Sequence, residues 1–390
     1  MHVLHIGKFY PPFHGGMESW LFDLANEQVK QGMKVTVLVH NHNWGMLKSP
    51  TISNLENDIK LIRQQTWRPV FHTPLMRGIN KQINQIIATD PPNLIHLHWP
   101  NPSLFYLLLN SRAKRIPWVV SWHADMVTEN SSWLMRLIYR IIRPLETRVL
   151  KQCKSIVVSS QAYLNHSKPL LANAHKVSVI PLGISVHQLK QFQPDEDFIN
   201  TSWQTNQFRL FNLGRLTYYK NQQMLIHAMK SLADCQLIIA GDGKLAAPLA
   251  KLTASLRVSN EVKLIGKQSW QHIHSLFASC DVFCLASHDR AESFGVVLLE
   301  AMYHNKIILV ADTPGSGMQW LAKNYNKGFV FIANNESDYV DKIRYIQNNY
   351  VSIMQRPYQF NYNINQIAKL ISEHYDKNIN NTGVKNEINA

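Results

Sequence analysis

Charge is scarce in this sequence. Asp, Glu, Lys and Arg make up only 17% of the 390 residues, against 45% apolar residues. That balance excludes an intrinsically disordered chain, which needs the reverse. No apolar run approaches the roughly 18 residues required to span a bilayer. A secretory leader is not expected either: Met1–Gly7 reads as a strand, and Lys8, Pro11 and Pro12 follow before any apolar core develops. Cysteine is limited to Cys153, Cys235, Cys280 and Cys284, whose spacings form neither a disulfide framework nor a zinc site, so all four are expected to be reduced. Acidic residues are rarest in the first half. Up to His187 there are 9 of them against 20 basic residues, a net +11; the remainder has 17 against 20, a net +3. Such a lopsided field implies a polyanionic partner for the N-terminal half: an anionic membrane, nucleic acid or a phosphorylated substrate.

What is present is a repeated strand–helix rhythm. Met1–Gly7 is strand-like, Glu18–Gln31 has helical periodicity, and Lys34–Val39 is strand-like again, the pattern of a parallel sheet. Further strands are expected at Leu94–His98, Trp118–Trp122, Ser155–Ser159 and Val177–Pro181. The rhythm restarts at Arg209–Leu213 and continues through Gln236–Ala240, Val262–Ile265, Val282–Leu285 and Ile307–Val310. At roughly 100–200 residues per domain the length also predicts two domains. Their join is expected in the polar stretch Ser185–Gln204. Ligands of open parallel sheets bind beyond the strands' carboxyl ends, so the residues that follow strands carry most of the functional information.

The densest such segment is Arg290-Ala291-Glu292-Ser293-Phe294-Gly295 and the apolar stretch through Glu300 to Met302. Ser293 is placed to cap the following helix, and the small Ser293 and Gly295 let backbone amides approach a phosphate at its N-terminus. On a helix rising 1.5 Å per residue, Glu292 and Glu300 would stand roughly 12 Å apart. That is too far for the roughly 5–9.5 Å carboxylate pair of a glycosidase, but it suits two ends of one extended ligand. Here the sequence resembles glycosyltransferase family 4, retaining enzymes of the GT-B fold, whose Glu-x7-Glu motif is matched by Glu292 and Glu300. The resemblance implies that Glu292 contacts the transferred sugar and Glu300 the ribose of a nucleotide-diphosphate donor.

The resemblance extends along nearly the whole chain. Gly214-Arg215-Leu216-Thr217-Tyr218-Tyr219-Lys220-Asn221 is similar to the family's Gly-Arg-Leu…Lys-Gly segment, with Asn221 in place of the usual glycine. It implies that Arg215 and Lys220 neutralise the donor diphosphate, and two fixed cations after a strand would stabilise the leaving group without a metal. Gly241-Asp242-Gly243 matches the family's Gly-Xaa-Gly turn. Lys8–Glu18 resembles its Pro-Pro…Gly-Gly-Xaa-Glu loop, in which Gly15 and Gly16 would bring backbone amides toward phosphate or acceptor. No Gly-x-Gly-x-x-Gly occurs there, which argues against a nicotinamide dehydrogenase. Ser121–Val127 is similar to the family's His-Ser-Asp segment with Ala124 for Ser; it would place His123 at the reaction centre and Asp125 where it orients His123 or touches the acceptor. His96 and His98 share one strand face, but no third metal ligand stands at a suitable spacing, and His98 is expected to line a cleft. Thr313–Trp320 and Gly328–Val330 resemble a donor-side loop of the subset that includes mannosyl- and rhamnosyltransferases of surface polysaccharides. In the interdomain Pro-Xaa-Gly-Xaa-Asp element, Ser185 replaces the acid.

Ser131–Arg143 interleaves Arg136, Arg140 and Arg143 with Trp133 and Tyr139 on a helical period, which reads as a membrane-surface element. Pro144 is expected to open a separate helix.

The fold class expected is therefore α/β: a GT-B arrangement of two Rossmann-like doubly wound parallel-sheet domains facing a cleft. Residues 1–187 would bind the acceptor and 188–355 the nucleotide sugar. A helix within 356–377 would cross back to the first domain, and 378–390 would be a frayed tail. The activity implied is retaining transfer of a sugar, GDP-mannose favoured and a UDP-sugar possible, to a lipid-linked or oligosaccharide acceptor in bacterial surface polysaccharide synthesis. No cofactor or metal is implied. The partners implied are the nucleotide sugar, the saccharide acceptor and an anionic membrane surface rather than nucleic acid, with the protein peripheral on the cytoplasmic face. A sugar-nucleotide epimerase of the same fold and a basic nucleic-acid-binding protein are the alternatives that the sequence leaves open.

Overall fold

The computed structural model describes residues 1–13, 15–42, 51–70, 73–126 and 132–380. The chain forms two compact units: Met1–Ser185 together with the chain from Tyr362, and Val186–Asn361.

The N-terminal unit is built on an eight-stranded sheet. Its elements begin with β1 (His2–Ile6), α1 (Gly16–Lys30), β2 (Lys34–His40), β3 (Ile52–Glu56) and β4 (Ile59–Gln64). A small hairpin, β5 (Thr66–Val70) and β6 (Thr73–Met76), leads to α2 (Ile79–Thr89), β7 (Leu94–Trp99) and β8 (Trp118–Trp122). Then come α3 (Trp133–Gln152), β9 (Ser155–Val158), the short α4 (Gln161–His166) and α5 (Lys168–Leu171), and β10 (Val177–Val179). The strand order is β10-β9-β8-β7-β1-β2-β4-β3, parallel except for β3 against β4. Strands such as β2, Lys-Val-Thr-Val-Leu-Val-His, are buried on both faces and so read as near-continuous apolar runs.

The C-terminal unit contains α6 (Glu196–Ser202), β11 (Phe208–Leu213), α7 (Gln222–Ala228), β12 (Cys235–Ala240), α8 (Ala246–Ser255), β13 (Val262–Gly266) and α9 (Trp270–Ser279). It continues with β14 (Val282–Leu285), α10 (Val296–Tyr303), β15 (Ile307–Ala311), α11 (Gly317–Lys323), β16 (Gly328–Phe331), α12 (Glu336–Asn348) and α13 (Tyr350–Met354). Its order is β13-β12-β11-β14-β15-β16, parallel throughout.

Several details differ from the sequence-based expectation. The units meet at Ser185/Val186, and residues 356–361 belong to the C-terminal unit. Helix α14 (Ile364–Asn380) extends through 378–380, which were expected to fray; 381–390 lie outside the described residues. Pro144 lies inside α3 and does not start a new helix. It is exposed, so the helical hydrogen bond it forfeits is lost on the solvent side, where water replaces it most cheaply. Gly328–Val330 is part of edge strand β16, not of a loop.

Helix α14 belongs to the N-terminal unit. Ile364, Ile367, Ala368, Ile371 and Tyr375 are buried with Val3, Trp20, Leu24, Leu94, Val119 and Val157. The docking begins at Gly183. A Cβ there would lie 2.8 Å from both Ile367 Cγ1 and the Tyr362 carbonyl oxygen, and 3.1 Å from Ile364 Cα. Gly183→Val is therefore expected to push the start of α14 off the sheet and cost about 1–3 kcal/mol. A lowered urea midpoint and earlier protease cleavage around Tyr362 would be the readouts.

Candidate functional site

In the C-terminal unit the strand order reverses between β11 and β14, the point at which an open parallel sheet opens a crevice for a ligand. The loops after these two strands meet there. The His288 N–H donates to the Tyr219 carbonyl at 3.0 Å, and Lys220 Nζ forms an ion pair with Glu292 Oε2. The two side chains are only 9% and 14% exposed. Arg215, on the same loop as Lys220, is exposed. On the same two loops, Thr217 Oγ1, Ser287 Oγ and His288 Nδ1 are buried without a hydrogen-bond partner among the described residues.

Glycines let these loops pack backbone to backbone. Gly241 has φ 136°, and a Cβ on it would lie 2.0 Å from the Gly214 carbonyl oxygen. The resulting seam is held by Gly214 N–H to Ala240 O at 3.1 Å and Leu216 N–H to Asp242 O at 2.9 Å. A Cβ on Gly214 would lie 3.2 Å from Lys220 Nζ, so glycine there leaves the ammonium its room. Asn221 adopts φ 53°, which explains why asparagine can replace glycine after Lys220.

The Glu292 loop is fixed from both sides. Asp289 accepts from Ala291 N–H through Oδ1 at 2.8 Å and from Glu292 N–H through its carbonyl at 3.1 Å. The Ser316 hydroxyl donates to the Glu292 carbonyl at 2.5 Å and Gly317 N–H to the Ser293 carbonyl at 2.7 Å. Phe294 is buried below. Ser293 does not cap α10: the residue before the helix is Gly295, with φ 78° and no side-chain cap. Glu292 therefore lies outside the helix that carries the partly buried Glu300, and a helical rise does not measure their separation.

In the N-terminal unit the order reverses between β1 and β7. Gly15 and Gly16 stand at the start of α1; a Cβ on Gly16 would meet nothing within 4 Å. His14 and 127–131 lie outside the described residues. Register brings the histidines together. His5 pairs with His96 and His98 with Ser121, and His123 lies two residues beyond Ser121 on the same face. His123 Nε2 is 3.2 Å from His98 Nδ1, His98 Nε2 is 3.1 Å from His5 Nδ1, and His5 Nε2 is 2.7 Å from Gln28 Oε1. His96 bonds to Ser121 Oγ at 2.8 Å and to the Tyr375 hydroxyl at 2.5 Å. His98 is 1% exposed and bridges two histidines, so it does not line a cleft. Asp125 is held by the Trp122 indole at 2.8 Å and the Ser167 hydroxyl at 2.7 Å. The residue bonded to the His123 ring is His98.

The third histidine absent from the sequence reading is His5, and the ligand atoms of His5, His96 and His98 lie within 4.8 Å of one another. Its signal was hidden because a lone histidine in an apolar strand has no ligand spacing. Yet both nitrogens of His96 are already engaged by Ser121 and Tyr375, and the His96 and His98 rings stack at 4.5 Å. The cluster is a hydrogen-bonded network. Burial pushes His5 and His123 down to about 4, and His96 and His98 well below the usual histidine range.

The basic helix α3 exposes Trp133, Leu134, Leu137 and Ile141 beside Arg136, Arg140 and Arg143. Tyr139 instead turns inward and donates to Glu146 Oε1 at 2.7 Å. Other cations, Lys114, Arg115, Lys151, Lys154 and Lys176, line a cavity of about 530 Å³ before β8 and β9. Part of that charge neutralises the end of α3, where Lys176 Nζ donates to the carbonyls of Leu150, Lys151 and Cys153 at 3.0–3.2 Å. No helix among the described residues is long and apolar enough to cross a membrane.

Residues 14–188 match the family model described as Glycosyltransferase Family 4, and residues 194–366 the model described as Glycosyl transferases group 1. The chain belongs to glycosyltransferase family 4 and has the GT-B fold; it is a hexosyltransferase-type enzyme. It is 26% identical over 352 residues to the O-antigen chain mannosyltransferase C of Escherichia coli, covering 90% of this chain and 89% of that protein. It is likewise 26% identical over 335 residues to the D-rhamnosyltransferase WbpZ of Pseudomonas aeruginosa, covering 85% and 82%. Sucrose-phosphate synthase from Thermosynechococcus elongatus shares the fold with a TM-score of 0.77 at 16% identity, covering 96% of this chain and 98% of that one.

The buried histidines make stability pH-dependent. His5, His40 and His123 are held down to about 4 by burial, with His96 and His98 lower still. Below their ordinary value of 6.5 the unfolded chain takes up protons that the fold refuses, so stability is present above 6.5 and is lost as pH falls. Asp23, raised to about 6, and Glu146, raised to about 7, both chiefly by desolvation, act oppositely. Five histidines outweigh two acids, each group contributing at most roughly 1.4 kcal/mol per pH unit. The urea midpoint is expected to be lower at pH 5 than at pH 7; an unchanged or higher midpoint would show that the histidines are not held neutral.

Proposed function

We propose that this enzyme transfers a sugar, with retention at the anomeric carbon, from a nucleotide-diphosphate donor to a saccharide acceptor of bacterial surface polysaccharide. GDP-mannose is the favoured donor and a lipid-linked oligosaccharide the favoured acceptor. The mannosyl- and rhamnosyltransferase names of its relatives support this choice. The observation that carries the donor assignment is the Lys220–Glu292 pair at the switch point of the C-terminal sheet.

In this reading Arg215 and Lys220 face the diphosphate, and amides around Gly214, Gly241 and Ser293–Gly295 bind its oxygens. Glu300 holds the ribose and Glu292 the sugar. Gly15, Gly16, His123 and Asp125 serve the acceptor side. The bond from anomeric carbon to phosphate oxygen breaks, its electron pair stays with the leaving diphosphate, and the acceptor oxygen forms the new bond on the same face. The leaving phosphate receives the acceptor proton. Negative charge grows on the diphosphate in the transition state, where two preorganised cations act most strongly. The reaction then needs no metal.

Attachment to the cytoplasmic membrane face is part of the proposal. Trp133, Leu137 and Ile141 repeat every four residues and are exposed, supplying apolar insertion beside the arginines. Each basic residue near an anionic leaflet adds about 1 kcal/mol.

Lys220→Ala and Arg215→Ala are each expected to lose about 2–4 kcal/mol of transition-state stabilisation, with turnover by the parent enzyme persisting in a chelator. Glu292→Gln should mainly slow turnover and Glu300→Gln mainly weaken nucleotide binding. A thermal-shift screen of GDP-, UDP-, ADP- and dTDP-sugars followed by turnover assays provides the test; near-parent turnover of both cation variants would overturn the donor assignment. For the membrane, the parent should sediment with anionic but not neutral liposomes, and less in high salt. Replacing Arg136, Arg140 and Arg143 with Glu should release it while leaving donor binding intact. Equal pelleting of both proteins would refute the membrane face.

A further inference from the structure

We propose that Gln28, His5 and His98 lock the tautomer of His123: a one-way chain of hydrogen bonds running inward keeps the His123 proton on Nε2 and leaves Nδ1 as a bare acceptor for a sugar hydroxyl. The proposal rests on the acceptor-side reading of His123 given above.

The argument begins at the inner end. Gln28 turns Oε1 to His5 Nε2 at 2.7 Å and Nε2 to the Tyr375 hydroxyl at 3.2 Å. An amide oxygen only accepts, so His5 Nε2 carries the hydrogen. A neutral imidazole has one donor and one acceptor, so His5 Nδ1 accepts, and the atom facing it at 3.1 Å, His98 Nε2, donates. His98 Nδ1 then accepts from His123 Nε2 at 3.2 Å. The planes of the His98 and His123 rings lie within 9° of each other with centroids 5.5 Å apart, as an in-plane N–H···N contact requires. His123 has no proton left for Nδ1.

The side branch agrees. Tyr375 accepts from Gln28 and so gives its own hydrogen to His96 Nδ1 at 2.5 Å, which leaves His96 Nε2–H to donate to Ser121 Oγ at 2.8 Å. All six hydrogen bonds of the network are consistent with all four histidines neutral and protonated on Nε2, His123 Nδ1 alone being left without a partner within it. Full burial of His5, His96 and His98 supports neutrality, because an unpaired imidazolium there would be strongly disfavoured. Among the described residues the network contains no carboxylate.

The amide at the end distinguishes this device from a charged relay. A carboxylate would both orient the histidine and favour its imidazolium form. Gln28 orients only. It cannot take the proton that a hop along the chain would deliver, so the chain fixes polarity without conducting charge. Gln28, His5 and His98 are thus positioning residues, and His123 is the group offered to substrate.

The test is long-range nitrogen–proton correlation NMR of the full-length protein labelled with ¹⁵N-histidine, the His123 signals being assigned by their loss in His123→Ala. The parent should show His123 protonated at Nε2 and bare at Nδ1. Gln28→Leu, which removes the inner acceptor, should move His123 toward the opposite or a mixed tautomer and lower kcat by about a hundredfold with little change in donor KM. His98→Phe is the second variant should Gln28→Leu not fold, and the parent spectrum needs no variant. An Nδ1-protonated His123 in the parent, or a parent tautomer in both Gln28→Leu and His98→Phe, would overturn the lock. Parent-like turnover in His123→Ala would instead overturn the acceptor-side role, leaving the tautomer result to stand separately.

Discussion

Parallel strands cannot follow one another through a tight turn; each is reached by a crossover, and the constraint gathers every carboxyl end on one edge of the sheet. Each unit inherits a site from it. In the C-terminal unit the two central strands, β11 and β14, deliver the Lys220 and Glu292 loops to the same place, although distant sequence separates them. In the N-terminal unit β1 and β7 deliver the histidines, and the residue after β8 extends their row to His123. The candidate functional groups thus gather where strand direction and strand order leave the backbone no further pairing to do.

Placing polar groups there is costly, because central strands of both sheets, such as β1, β7 and β14, are buried along their whole length. The two units meet the cost differently. The C-terminal unit sets opposite charges against each other and fixes the carboxylate's loop through Asp289, Ser316 and Gly317. The N-terminal unit uses neutral groups hydrogen-bonded in series, from Tyr375 and Gln28 through His5 and His98 outward to His123. In the proposed reading, a charged donor and an uncharged sugar hydroxyl call for this difference.

The fold was legible where physics is local. Alternating apolar strands and helical stripes gave both sheets, and motifs after strands marked Arg215, Lys220, Glu292 and His123. The strands from Ile52 to Met76 were missed: β3 is mostly exposed and antiparallel, so it lacks the apolar run that marked its neighbours. Ser293 looked like a cap because Ser is a good one, but the chain needed left-handed backbone at Gly295, and tertiary bonds from Ser316 and Gly317 claimed the preceding carbonyls. His5, Gln28 and Tyr375 carry no local signal. Their partnership comes from strand register and from two helices packed on one face, neither of which spacing along the chain encodes.

Helix α14 carries a consequence for biosynthesis. Val3, Leu94, Val119 and Val157 form one wall of a core whose other side includes Ile367, Ile371 and Tyr375. During synthesis that wall emerges first and waits while the whole of Val186–Asn361 is translated. The N-terminal sheet therefore spends that interval with an uncovered apolar face, and His96 lacks its tyrosine until the helix arrives. The usual order, in which the first unit to leave the ribosome finishes first, is reversed. The C-terminal unit is continuous in sequence and can close alone, whereas the unit that begins the chain is the last to be completed.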